Sequence, residues 1–299
     1  MALPSSAQQV IETLSPRSGG VGGGLLFINW NPDLIAFRLG PLEFRWYSLC
    51  WLIGLAGAFF IVRWLYKQQK IKDELFDPLF FYCFVGILAG ARLGHCIFYE
   101  PDYFLSSGTH ILEMFVPMRE MADGSWKFTG YQGLASHGGT LGLMLALLLY
   151  VRWSKLPLMK VLDFIAIATP FTAGFIRLGN LMNSEIIGKA TDLPWAFIFE
   201  RVDAVPRHPG QLYEAICYAI FFFVGWCFYR KYPQRVGTGW FFGLCLFLIF
   251  TSRILIEYTK ENQVDFESGM LFNMGQLLSV PFVLLGIWCM KRATSGNQR

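Results

Sequence analysis

Apolar runs of membrane-crossing length alternate along the chain with short polar connections. Seven such runs lie at roughly 47–66, 79–99, 134–151, 161–178, 211–229, 237–258 and 270–290. Each is about 20 residues, the length of helix that spans a hydrocarbon core of ~30 Å. The pattern therefore predicts an all-α integral membrane protein with seven transmembrane helices. Two runs are interrupted: the third starts in a glycine-rich stretch, and the fourth carries Asp163 and Pro170. No internal repeat is visible. Ahead of the first run, IAFR (35–38) and LEFRWY (42–47) alternate in part on either side of Leu39-Gly40-Pro41. That predicts an interfacial hairpin within an arm at 25–46, with Trp46 and Tyr47 at the membrane boundary. Residues 1–24 are rich in Ser, Gln and Gly and end in SGGVGGG. They read as a flexible tail, without the basic start and apolar run of a signal peptide.

Basic residues orient the runs. Arg63, Lys67, Lys70 and Lys72 follow the first run; Arg152, Lys155 and Lys160 follow the third; Arg230, Lys231 and Arg235 follow the fifth; Lys291, Arg292 and Arg299 end the chain. The opposite segments, 1–46, 100–133, 179–210 and 259–269, hold fewer over a much greater length. By the positive-inside rule the N-terminus is expected outside and the C-terminus, with its tail at 291–299, cytoplasmic. The long loops 100–133 and 179–210 then form a small extracytoplasmic cap on a membrane domain at 47–290.

Composition agrees with this pattern. The 299 residues are 54% hydrophobic and only 15% charged, against roughly 25% charged in soluble domains. The net charge of +4 is too mild for a nucleic-acid partner. The seven cysteines fall within the apolar runs and the four histidines are scattered, so neither a disulfide framework nor a metal site is expected, and no cofactor.

Depth along the helices organises the remaining polar residues. At 1.5 Å per residue, Arg177, Arg253 and Tyr47 each lie about 24 Å from the basic end of their helix. His137, Arg92 and Gln276 lie at about 21 Å. Snorkelling accounts for a single arginine near a helix end. Six spans contributing a polar group to one outer slab point instead to a site open toward the outer leaflet.

Each motif carries a chemical reading beside a packing one. In Ser136-His-Gly-Gly-Thr-Leu-Gly142, histidine suits a general base, and Gly138 and Gly139 at a helix start offer N–H groups to an anion. The same glycines suit helix packing. In GFIRLGNLMNSEIIGKA (174–190), Arg177, Asn180 and Ser184 would share a helix face, with Asn180, Asn183 and Glu185 orienting Arg177; alternatively Gly179 and Asn180 cap a helix end. Arg253 and Glu257 are spaced as i, i+4 partners. Arg207-His208-Pro-Gly-Gln-Leu-Tyr-Glu214 and Phe272-Asn-Met-Gly-Gln276 either bring polar groups to a site or start helices. Gly90-Ala-Arg92-Leu-Gly94 reads most simply as packing around a buried arginine.

Together, and in this order, these motifs resemble those of the bacterial prolipoprotein diacylglyceryl transferases. The likeness runs from about Asp33 to Ser279. It takes in Arg45-Trp-Tyr-Ser48, GARLG (90–94), SHGG (136–139), RLGNLMNSEIIG (177–188), HPGQLYE (208–214), RILIE (253–257) and MGQLLS (274–279). The resemblance implies transfer of diacylglycerol from phosphatidylglycerol to the lipobox cysteine of a prolipoprotein signal peptide. A thioether forms and glycerol phosphate is released, in a bacterial cytoplasmic (inner) membrane with the active site facing the outer leaflet. It implies catalytic roles for His137, Arg177, Arg253 and Tyr47. Substrate contacts are implied at Arg177, Asn180, Glu185, Gly188 and Glu257, and are added at Gly138, Gly139, His208, Gln276 and Arg92. The family often carries a second arginine one turn beyond its glutamate. Here that place is Lys260, followed by Glu261-Asn-Gln, so a point charge replaces a bidentate fork.

The reaction class is displacement at a saturated carbon with a phosphate ester leaving. A thiol of pKa ~8.5 needs a base or a positive field, and arginines suit the departing phosphate. An acyl transferase would want an activated serine, and the sequence has no GxSxG. The alternative is a lipid or solute transporter with an outer-leaflet polar site. It would place polar residues through the full depth of the bilayer, whereas the inner halves of these runs are nearly free of charge.

Overall fold

The computed structural model describes residues 27–40, 42–121, 124–131, 133–261 and 272–295. The tail at 1–24 lies outside them. The chain begins with β1 (Ile28–Trp30), β2 (Ile35–Leu39) and β3 (Leu42–Arg45), followed by α1 (Trp46–Gln68) and α2 (Phe76–Phe98). Two short helices, α3 (Pro101–Phe104) and α4 (Gly108–Glu113), precede β4 (Met118–Glu120) and β5 (Trp126–Phe128). Then come α5 (Ser136–Ser154) and α6 (Leu158–Asn183), β6 (Phe197–Phe199) and β7 (Pro206–Arg207). The last helices are α7 (Gly210–Lys231), α8 (Trp240–Glu257) and α9 (Met274–Ser295).

Six of these helices, α1, α2 and α6 to α9, are long and apolar enough to cross a membrane. The third expected span is α5, 19 residues long, whose Ser-His-Gly-Gly-Thr start lowers its hydropathy. The protein is thus a mostly helical membrane protein with small sheets added at one end.

The longest helix, α6, is central and packs on α1, α7 and α8, while α2 pairs with α5 and α8 with α9. Glycine makes two of these pairings possible. A Cβ on Gly142 would lie 2.0 Å from the Gly86 oxygen, and one on Gly90 2.3 Å from the Gly138 oxygen. In the α8–α9 pair a Cβ on Gly243 would meet the Gly286 oxygen at 2.6 Å. Inside lipid, helices associate by such close backbone approach, because burying apolar surface gains little there.

The buried aromatic core lies at the basic end of the bundle, with Tyr66, Phe76, Tyr150, Phe164, Tyr229 and Phe241 among its members. Two interruptions of the apolar pattern are satisfied here. Tyr150 donates to the Leu75 oxygen at 2.7 Å and lies 3.1 Å from the Tyr66 hydroxyl. Asp163, wholly buried, accepts from the N–H groups of Gly237, Gly239 and Phe242 at 2.8, 3.0 and 2.9 Å. A carboxylate on α6 thereby caps the start of α8, where free N–H groups and the positive dipole end favour an anion.

The strands gather around the opposite helix ends. β2 and β3 pair antiparallel beside Gly40, whose φ of +60° suits glycine. β4 and β5 form a second hairpin. β1 runs parallel to β6, which pairs antiparallel with β7. This ties the N-terminal arm to the connection between α6 and α7, and the Trp30 indole donates to the Leu181 oxygen at 2.8 Å.

Candidate active site

The polar stretch at 177–190 is built by the way α6 ends. The helix stops at Asn183, and Ser184 and Ile186 both take positive φ, 56° and 57°. Ser184 therefore caps the helix instead of sharing a face with Arg177 and Asn180, and its expected place on that face is corrected. The reversal carries Glu185 back: its N–H donates to the Asn180 oxygen at 3.0 Å. Asn180 Nδ2 donates to Glu185 Oε2 and Asn183 Nδ2 to Glu185 Oε1, both at 3.0 Å. Asn180 Oδ1 accepts from Arg177 Nη1 at 3.3 Å. The two asparagines bind Glu185, and one of them also holds Arg177.

A carboxylate that sequence reasoning left out of the site completes this arrangement. Glu214 on α7 is wholly buried. Its Oε2 lies 2.8 Å from Arg177 Nε, and its Oε1 accepts from Lys260 Nζ at 2.8 Å. Lys260, 2% exposed, also reaches Glu257 Oε2 at 3.4 Å. The expected Arg253–Glu257 pair is therefore not formed: Glu257 faces Lys260, and Arg253 makes no ion pair among the described residues. The chain turns directly after α8, where the Lys260 N–H donates to the Glu257 oxygen at 3.2 Å, and this folds the lysine inward. Buried Tyr218 lies within the fields of both Arg177 and Arg253, so the two arginines share one region. One signal for Glu214 was present in the sequence: a carboxylate inside an apolar run, at the end of HPGQLYE.

Gly188 forms an antiparallel bridge with Lys260, and its N–H donates to the His208 oxygen at 2.9 Å. A Cβ there would lie 2.5 Å from His208 and 2.6 Å from the Thr259 oxygen, so only glycine fits. His208 Nδ1 lies 3.1 Å from the Tyr213 hydroxyl, which accepts from the Trp195 indole at 2.9 Å. Burial holds the His208 imidazole below its ordinary pKa. Gln211, wholly buried, donates to the Glu185 oxygen and ties α7 to the turn after α6. Tyr47 at the start of α1 packs on Gly179, where a Cβ would stand 3.0 Å from its ring.

The other expected site residues lie apart from this network. His137 is exposed in the first turn of α5, and its ring makes no hydrogen bond among the described residues. Gly138 and Gly139 are buried toward α2, and the close helix crossing accounts for Gly138, where a Cβ would lie 2.3 Å from the Gly90 oxygen. Arg92 donates to the Glu113 oxygen at 2.9 Å, and its guanidinium lies over Phe104 and Tyr131 at 4.8 and 5.5 Å. Those contacts hold the segment after α2. Gln276 and Asn273 form a reciprocal cap, with Oε1 accepting from the Asn273 N–H at 3.2 Å and Oδ1 from the Gln276 N–H at 2.9 Å. Gln276 Nε2 donates to the Ile254 oxygen at 3.1 Å.

A cavity of about 300 Å³ opens between α1, α2, α5 and α6, with Leu55, Phe59, Ile87, Leu143, Thr172 and Ile176 in its wall. It is almost wholly apolar and reaches the residue before Arg177. No group of three His, Cys, Asp or Glu among the described residues could hold a metal ion. An oriented guanidinium suits an anionic head, and the apolar cavity, whose wall does not include Arg177, suits hydrocarbon chains.

Known proteins resemble the chain over most of its length. A family model described as prolipoprotein diacylglyceryl transferase matches residues 34–292. A phosphatidylglycerol–prolipoprotein diacylglyceryl transferase of Bacteroides fragilis is 58% identical over 266 residues, 89% of this chain and 95% of the relative. Proteins of the same description from Tolumonas auensis and Porphyromonas gingivalis are 43% and 40% identical. They cover 86% and 89% of this chain, and 94% and 95% of their own lengths.

Proposed function

The chain belongs to the prolipoprotein diacylglyceryl transferase family, and from that premise we propose that it transfers the diacylglyceryl group of phosphatidylglycerol to a cysteine thiol of a prolipoprotein. The observation that carries this reading is the state of Arg177. Glu214 Oε2 stands 2.8 Å from its Nε as an ion pair, and Asn180 accepts from one Nη. A guanidinium carries more N–H donors than these two contacts use, and a phosphate diester is the anion that fits.

In the proposed reaction the lipobox cysteine gives its proton to His137 and attacks the saturated glycerol carbon that carries the phosphate. The C–S bond forms as the C–O bond breaks. Glycerol phosphate leaves with the electron pair, and the product is a thioether. Arg177 and Arg253 stabilise the charge that grows on the phosphate, an effect strengthened where water is sparse. Tyr47, Asn180, Glu185 and Gly188 shape the headgroup pocket. Glu257 and His208 support its walls. No cofactor takes part.

The proposal includes the crossing of all seven long helices, an extracytoplasmic N-terminus, a cytoplasmic C-terminus, and a site facing the outer leaflet of the bacterial cytoplasmic membrane. Support comes from the basic residues at one set of helix ends and the polar site at the other. A transporter is disfavoured because the cavity that runs toward the basic end is lined almost wholly by apolar side chains.

The test is direct. Purified protein in phosphatidylglycerol liposomes is given a lipobox peptide, and the peptide mass is followed. A gain of one diacylglyceryl group is expected, and it is lost in His137→Ala. An unmodified peptide with wild-type protein defeats the transferase reading, and near-normal transfer by His137→Ala removes that residue from the chemistry.

A further inference from the structure

Glu214 and Lys260 are closed off from solvent. Both are buried, at 0% and 2% side-chain exposure, and each faces the other at 2.8 Å. Their contacts divide one carboxylate between two cations: Oε1 goes to Lys260 and Oε2 to Arg177. Lys260 also touches Glu257 at 3.4 Å, so two carboxylates and two cations are paired in this network. The backbone of Lys260 is fixed by its bridge to Gly188 and by the Lys189 N–H, which donates to the neighbouring Thr259 oxygen at 2.8 Å.

Resting on the transferase reading, we infer that Lys260 and Glu214 are positioning residues for Arg177 and that Lys260 is not a second phosphate ligand. A carboxylate with both oxygens free grips a guanidinium by two parallel hydrogen bonds. Such a grip would occupy the edge of Arg177 that the substrate needs. By holding Oε1, Lys260 leaves Glu214 only one oxygen for Arg177. The arginine is then anchored at Nε while its outer donors remain available. Lys260 thus sets headgroup affinity through Glu214, without contact with the lipid.

A double-mutant cycle tests this, with KM for phosphatidylglycerol measured as mole fraction in mixed vesicles alongside kcat and thermal unfolding. Lys260→Met frees Glu214 to compete with the phosphate, so KM is expected to rise about tenfold or more. Lys260→Arg, which still donates to both carboxylates, should stay within about threefold of wild type. In a Glu214→Gln background the competing carboxylate is gone, so adding Lys260→Met should raise KM no further. An equal rise in both backgrounds makes Lys260 a direct phosphate ligand and overturns the inference. An unchanged KM with only a lowered unfolding temperature makes the network purely structural and overturns it equally. If Glu214→Gln does not fold, Glu214→Asp serves as the background, because its shorter reach withdraws the carboxylate from Arg177. The extra effect of Lys260→Met should again shrink. A wild-type protein with no transfer activity defeats the underlying transferase reading instead, and is recognised before any variant is compared.

Discussion

Arg177 shows how a single cation is made useful inside a membrane. Leaving it unpaired in lipid is costly, and pairing it completely would remove it from chemistry. Glu214 and Asn180 hold it at two points and leave donors over. Arg177→Lys keeps the charge but not the planar fork, so two parallel hydrogen bonds to a phosphate are lost. Turnover in the thioether assay should fall about 100-fold, as for loss of a positioned donor at a developing anion; a fall below tenfold would contradict the proposed role. His208 gives a pH prediction. Burial lowers its folded pKa below the ordinary 6.5, so the folded state resists protonation that the unfolded chain accepts. Its neutral form carries no penalty above pH 6.5, and stability is lost as pH falls from there toward the folded value. Unfolding temperatures between pH 7.5 and 5 should drop more steeply for wild type than for His208→Gln, and parallel curves would rule the effect out. At this scale the sequence was legible where a residue type is itself rare: an arginine, a histidine or paired asparagines in an apolar run. It was not legible for pairings. Glu214 and Lys260 stand 46 residues apart, and the nearer i, i+4 partner, Arg253, was the natural but incorrect choice for Glu257.

Elements were read from apolar run length, and their packing from glycine. The glycines at 86, 90, 138 and 142 let α2 and α5 touch backbone to backbone. Gly142→Ala puts a methyl group 2.0 Å from a carbonyl oxygen, and should destabilise by about 1–3 kcal/mol as overpacking does. Gly225→Ala is the control. Nothing lies within 4 Å of its Cβ position, so unfolding in detergent should be unchanged or slightly improved through helix propensity. Equal losses in both variants would mean that the crossing is not as tight as described. Asp163 makes the corresponding point for polar residues. In the sequence it only weakened the fourth run, whereas in three dimensions it caps α8. Asp163→Ala leaves buried N–H groups without an acceptor and should cost about 1–3 kcal/mol. Asp163→Asn, which keeps one acceptor oxygen, should cost less, and the reverse order would show that the cap is not the reason.

The whole molecule divides along the direction of its long helices. Aromatic core and basic rim occupy one end, and strands, arginines and carboxylates the other. With the proposed orientation, a membrane-impermeant thiol reagent on intact cells should label Asn31→Cys and spare Arg235→Cys; the opposite result would invert the topology. The sequence by itself determined that the chain is a helical membrane protein, roughly where its long helices lie, and which family its motifs follow. Hydropathy acts over a helix length, and a motif is a local string, so both survive in one dimension. Only the tertiary structure decided that Lys260 faces two carboxylates, that Ser184 ends the helix instead of extending its polar face, and that Gly138 and Gly139 are buried against α2. Charge pairing in a low-dielectric interior depends on distances between helices far apart in the chain, and the spacing along one strand of residues does not encode those distances.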